Sequence, residues 1–136
     1  MGSAALRPGD RIYVAARFER QAEARDVAGE LDAAGFIVTS RWLFSPGLQM
    51  GDPESAAHWA KLDLSDVSRA DVYLLLSDSE LGRGGKDFEG GFAYANGMRI
   101  VVVGPAAHVF HYLPSVHRIR DLDALRELIR NFGQEK

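Results

Sequence analysis

The 136-residue sequence predicts a doubly wound α/β fold, a five-stranded parallel sheet with helices on both faces. Three observations carry that prediction. Apolar, β-rich runs alternate with amphipathic helical stretches of about 10 to 17 residues. Two of the runs, Val72 to Leu76 and Arg99 to Val103, are almost wholly apolar, as strands buried on both faces are. A stretch with five glycines, residues 77–91, follows the first of these and leads into a helical pattern. Open α/β sheets place their ligands beyond the carboxyl ends of their strands, in such connections.

The first strand is Arg11 to Ala16, after the turn signal Pro8-Gly9-Asp10. Residues 19–34 carry Ala22, Val27, Ala28, Leu31 and Ala34 at helical spacing, closed by Gly35. Phe36 to Thr39 is the second strand. Arg41 to Pro53 reads as a loop rich in Gly and Pro that still carries Trp42, Leu43, Phe44 and Met50. A second helix is expected from about Pro53 to Arg69, with Asp52 or Ser55 as its cap. Val72 to Leu76 is the third strand, Phe88 to Asn96 a helix ended by Gly97, and Arg99 to Val103 the fourth strand. Val116 to Ile119 is a short fifth strand and Asp121 to Phe132 the last helix. Five such strands suit a flavodoxin-like, Rossmann-like order of 2-1-3-4-5, with the crevice at the carboxyl ends of strands 1, 3 and 4.

One domain over residues 1–136 accounts for the length, with Met1 to Asp10 as a flexible lead-in. The apolar fraction of 46% and charged fraction of 26% are ordinary for a globular protein. A net charge of −3 and a pI near 5.8 argue against a dedicated nucleic-acid or membrane surface. With no cysteine, disulfides and thiolate chemistry are excluded. No apolar run nears the roughly 20 residues that span a bilayer, and no basic-then-apolar leader is visible, so cytoplasmic residence is expected.

The glycine stretch is neither a Walker loop nor a dinucleotide fingerprint. No Gly-Lys-Ser/Thr follows it, and Gly82, Gly84 and Gly85 miss the Gly-x-Gly-x-x-Gly spacing. A nicotinamide or ATP enzyme is therefore not expected. Glu89 falls near the start of the following helix, where the dipole would hold its carboxylate ionised for nucleophilic or base chemistry. Gly90 and Gly91 each cost a helix roughly 1 kcal/mol against Ala, so that helix start is expected to lie against something. Asp87 reads as its N-cap.

Asp63, Asp66 and Asp71 cluster at the end of the second helix. Asp66 reads as solvated helix surface and Asp71 as a polar start to the third strand. Asp63, four residues after Trp59, suits either surface or a site. Tyr13 reads as a core tyrosine with its hydroxyl at the rim. Arg17, Arg20 and Arg41 are candidate anion binders or ordinary surface arginines. His108 and His111 stand three apart with no third ligand, so neither a metal nor a cofactor is expected.

Together these residues resemble the nucleoside 2-deoxyribosyltransferase family and its relatives, the 2′-deoxynucleoside 5′-phosphate N-hydrolases. The similarity runs from Ile12 to about Leu113. It is carried by Ile12-Tyr13-Val14-Ala15-Ala16-Arg17-Phe18, by the segment from Asp63 to Ala70-Asp71-Val72, and by Glu89-Gly90-Gly91-Phe92-Ala93. The resemblance implies that Glu89 attacks C1′ of a 2-deoxyribose, Asp63 assists the departing base and Tyr13 orients Glu89. An acceptor base or water would resolve the glycosyl-enzyme, giving a transferase or a hydrolase.

It further implies substrate contacts from Ala15, Ala16, Arg17, Phe18, Arg41, Trp42, Asp78, Gly84, Gly85 and Asp87. No metal is needed, the partner is a small nucleoside or nucleotide, and a homodimer or larger assembly is expected. Trp42, Leu43 and Phe44 are the apolar surface considered for that contact. The sequence departs from the family at three places. Ala15-Ala16 replaces the phosphate-binding Gly-Ser of the N-hydrolases, with Arg17 and Ser40-Arg41 as stand-ins. Arg83 sits where some transferases carry a base-contacting acid, and Asp78, Glu80 or Asp87 are its possible replacements. Gly90 replaces an apolar residue. A non-catalytic nucleotide sensor on the same scaffold is the competing class. A receiver domain built on Asp78 lacks the acidic pair it needs after the first strand.

Overall fold

The computed structural model describes residues 4–45, 52–78 and 84–134. Five parallel strands, β1 (Arg11–Ala15), β2 (Ile37–Val38), β3 (Val72–Leu76), β4 (Arg99–Val103) and β5 (His117–Ile119), form one sheet in the order β2-β1-β3-β4-β5. The helices are α1 (Gln21–Ala33), α2 (Pro53–Ser68), α3 (Gly85–Ala95) and α4 (Leu122–Gln134). The order matches the expectation, since the winding reverses between β1 and β3 and leaves helices on both faces. Ile12 pairs with Val72, Val72 with Arg99, and Val101 with His117.

Strand alternation divides the interior into two layers. Ile12, Val14, Val72, Leu74, Leu76, Val101 and Val103 face α1 and α4, where Val27, Leu31, Leu125 and Ile129 complete an apolar core. Tyr13, Ala15, Tyr73, Leu75, Ile100 and Val102 face α2 and α3, which meet them with Val67 and Ala93. Residues 4–10 belong to the packing rather than forming only a lead-in. Leu6 is buried in the first layer, and Asp10 accepts hydrogen bonds from the Arg7 amide and the Arg99 guanidinium.

Three boundaries differ from the sequence expectation. β2 is reduced to Ile37–Val38 because it is an edge strand paired only with β1. Arg41–Phe44 closes into a 3₁₀ turn instead of an open loop. Helix α3 starts at Gly85, and its N-cap is Gly84 at φ +94°, not Asp87. A left-handed backbone there favours glycine. Asp87 instead lies inside the first turn and bonds His108 Nε2 at 2.9 Å. At the start of α2, the Asp52 side chain accepts from the amides of Glu54 and Ser55, with Pro53 at the first helical position. Gly104 (φ +113°) lets β4 end against β3, since a Cβ there would meet the Ser77 carbonyl oxygen at 3.0 Å.

Candidate active site

The second layer of the sheet carries the chemistry. Tyr13 and Tyr73 are register partners on β1 and β3, so their rings stack with centroids 5.7 Å apart and planes 7° apart. Both hydroxyls reach the same carboxyl group. Tyr13 donates to Glu89 Oε2 at 3.2 Å, and Tyr73 lies 3.3 Å from Glu89 Oε1 and 2.8 Å from the Lys86 carbonyl oxygen. The Tyr73 ring lies beside Gly90 of α3 without requiring glycine there. A Cβ on Gly90 would stand 3.5 Å from it, whereas Gly91 meets nothing within 4 Å.

Helix α2 supplies the second carboxyl. Asp63 and Asp66 are three apart and share a helix face. Asp66 is fully buried, contrary to its reading as solvated surface. It accepts from the Arg41 amide at 2.9 Å, Arg41 Nε at 3.0 Å and Arg69 Nη2 at 2.7 Å. This anchor ties α2 to the chain after β2. Arg41 is therefore paired with Asp66 and does not line the cleft described below. One turn earlier, Asp63 lies beside Glu89, close enough for each carboxyl to perturb the other. Its Oδ1 is buried with no partner among the described residues.

The electrostatics reverse one sequence expectation. Glu89 lies beyond the first turn of α3, too far in for the dipole to govern it. Burial, and then the adjacent Asp63 charge, push its carboxyl up to about 8, against the opposing hydrogen bonds from Tyr13 and Tyr73. Burial, and then the Asp66 charge, raise Asp63 to about 6. Burial also drives both tyrosines well above their ordinary range, so they remain neutral donors. Two carboxyls in contact titrate as a unit. Near neutral pH the pair therefore retains a proton.

Around the pair lies a cleft of about 200 Å³. Tyr13, Ala15, Ala16, Phe18, Trp42, Ser45, Trp59, Asp63, Gly85, Lys86 and Glu89 line it. The Trp42 indole donates to the Val14 carbonyl at 2.7 Å, and the Val14 amide donates to Ser40 Oγ at 3.0 Å, so the end of β1 fixes one wall. A larger, mainly apolar cavity of about 660 Å³ lies on the other flank of α3, over Leu75, Ile100 and Val102. Asp87 belongs to this second cavity.

Several candidate residues stay outside the cleft. Gly84 caps α3. Arg17 and Arg20 both pair with Asp78, at 3.0 and 3.1 Å. Of the apolar trio considered as a contact surface, Leu43 is buried in the core and Trp42 packs inward; Phe44 is exposed. Met50, Glu80, Gly82 and Arg83 lie outside the described residues. The residues that sequence reasoning missed are Tyr73 and Lys86. A signal for Tyr73 existed: Ile12-Tyr13-Val14 and Val72-Tyr73-Leu74 place tyrosine alike in neighbouring parallel strands.

No family model matches the chain, and no curated protein does. Solved structures do match. A 2-deoxyribosyltransferase from Bacillus psychrosaccharolyticus superposes with a TM-score of 0.67 at 22% identity, over 85% of this chain and 90% of that one. A CMP N-glycosidase from Clostridium botulinum superposes with a TM-score of 0.59 at 20% identity, over 89% of this chain and 97% of that one. At these identities the likeness shows the fold, and the chain has the nucleoside 2-deoxyribosyltransferase-like fold.

Proposed function

We propose that the protein is an enzyme that cleaves the N-glycosidic bond of a 2′-deoxynucleoside or its 5′-monophosphate through Glu89. The observation that carries this reading is the half-buried Asp63–Glu89 pair, which lines a cleft beside α3 and whose Glu89 is held by tyrosine hydroxyls. Retaining glycoside chemistry needs one ionised and one protonated carboxyl in close reach. A pair holding one proton near neutrality has the right count. Positive charge developing on the sugar favours ionised Glu89 and leaves the proton on Asp63.

In the first half-reaction a Glu89 oxygen bonds to C1′ and the C1′–N bond breaks. Its electron pair leaves with the base, which takes the Asp63 proton. In the second, water or an acceptor base attacks C1′ and gives a proton to Asp63. The C1′–O bond then breaks and its electrons return to Glu89. The missing 2′-hydroxyl makes the oxocarbenium-like transition state easier to reach.

Chromatography of free base released from a panel of deoxynucleosides and their monophosphates tests this. Wild type is expected to release base and Glu89→Ala to lose release by on the order of 10⁴-fold or more with its fold intact. Release by Glu89→Ala at the wild-type rate overturns the reading. Binding of a nucleotide without turnover by wild type would mark a sensor domain instead. An acceptor base added to the same mixtures separates transfer from hydrolysis.

Cytoplasmic residence and a homodimer complete the reading. Exposed Phe88, Tyr94, Val109, Phe110 and Tyr112 support a second copy as the partner. Sedimentation is expected to give a dimer or larger; a monomer at micromolar concentration contradicts it.

A further inference from the structure

We propose that Tyr73 is a positioning residue that holds Glu89 Oε1 and so assigns Oε2 to the bond with the sugar. The inference rests on Glu89 being the nucleophile. Its basis is the division of one carboxyl group between two hydroxyls, Tyr13 at Oε2 and Tyr73 at Oε1. Tyr13 lines the cleft together with Glu89 and Asp63. Tyr73 does not; its buried ring borders the cavity on the opposite flank of α3. The two oxygens therefore differ in the hydroxyl that holds each, one from a cleft residue and one from outside the cleft.

That difference has a chemical consequence. When a carboxylate alkylates, one oxygen becomes the ester oxygen and the other the ester carbonyl. A hydroxyl on the attacking oxygen must give way as the bond to C1′ forms. A hydroxyl on the other oxygen can stay through the whole cycle. Tyr73 meets that requirement and Tyr13 does not.

Tyr73 also has two acceptors for a single proton, the Lys86 carbonyl at 2.8 Å and Glu89 Oε1 at 3.3 Å. With Glu89 neutral, the proton serves the carbonyl of Lys86. With Glu89 ionised, it turns to Oε1, where the charge is. In the second half-reaction the C1′–Oε2 bond breaks and its electron pair spreads onto Oε1, into the Tyr73 hydrogen bond. Tyr73 thereby favours departure of the carboxylate from the sugar. Its contribution to the free carboxylate agrees in sign, since the Tyr73 hydrogen bond lowers the Glu89 pKa.

Tyr73→Phe keeps the ring that stacks on Tyr13 and removes the hydroxyl. Glu89 is to be titrated by carboxyl carbon NMR, and the covalent adduct followed by intact mass after rapid quenching with a deoxynucleoside. The expected result is a higher Glu89 midpoint and an adduct that persists about 10- to 100-fold longer, with a lower kcat and a KM that does not rise. A wild-type midpoint together with a wild-type adduct lifetime overturns the inference, as does a raised KM with kcat unchanged. Incorporation of 3-fluorotyrosine at position 73 covers the case in which Tyr73→Phe fails to fold. This stronger donor is expected to lower the Glu89 midpoint, and an unchanged midpoint overturns the inference. Base release by Glu89→Ala overturns instead the functional reading beneath it, and leaves the titration result standing.

Discussion

The two faces of one sheet do different work. On the α1/α4 face, β1 and β3 present Ile12, Val14, Val72, Leu74 and Leu76 to a continuous apolar layer. On the α2/α3 face, one residue out of phase along the same strands, they present Tyr13 and Tyr73 to the half-buried Glu89 carboxyl. The first face gains free energy from every apolar group it removes from water. The second holds Glu89 and Asp63 at pKa values near 8 and 6, so ionising them at neutral pH costs stability.

The sharpest way to break this contrast is Asp63→Asn on the costly face. Base release is expected to fall by about 10²–10⁴-fold. The wild-type rate should follow a bell with limbs near pH 6 and 8, where the pair gains or loses its single proton. The variant keeps one carboxyl and should show only a rise toward a plateau, with a midpoint below 8 because the Asp63 charge is gone. An unchanged bell would remove Asp63 from the pair.

Leu74→Ala tests the opposite face. Leu74 is fully buried, and the truncation should cost about 3–5 kcal/mol in denaturant unfolding. The folded fraction should retain its pH profile. A lost bell would mean that the faces are not separable.

Glu89→Gln gives the smallest change and the most telling sign. In the folded protein Glu89 binds its proton more tightly than in the unfolded chain. Its contribution is thus fully present below the unfolded value near 4.5 and is lost as pH rises toward 8. The neutral amide removes that loss. Glu89→Gln is expected to be more stable than wild type at pH 8 by about 1–3 kcal/mol, with a flatter dependence between pH 5 and 8, while losing activity. Lower stability of the variant across that range would show that Glu89 is not strained by burial.

Much of the fold was legible because it is written in short-range pattern. Val72 to Leu76 and Arg99 to Val103 match β3 and β4 residue for residue, since apolar runs bounded by turn residues have few alternatives. The site was legible in part. Glu89, Asp63 and Tyr13 stood out through motif order, and the structure brings the three together. The misread residues are those whose state depends on distant partners. Asp66 has the helical spacing of a surface residue, and its burial follows from Arg41, 25 positions away. Asp87 resembles a cap, but His108 claims its side chain, and Gly84 supplies the turn.

The sequence by itself determined the strand and helix order, the handed alternation that separates the two faces, and the presence of carboxyls beside a glycine-rich turn. These follow from periodicity and backbone chemistry within about 20 residues of chain. Only the tertiary structure decided the ionisation of Glu89 and the identity of its second tyrosine. A pKa is set by burial and by charges in space, and Tyr73 reaches Glu89 through the register of β3 and the placement of α3. Helix position alone suggested an ionised carboxylate; packing made it a carboxyl poised near neutrality.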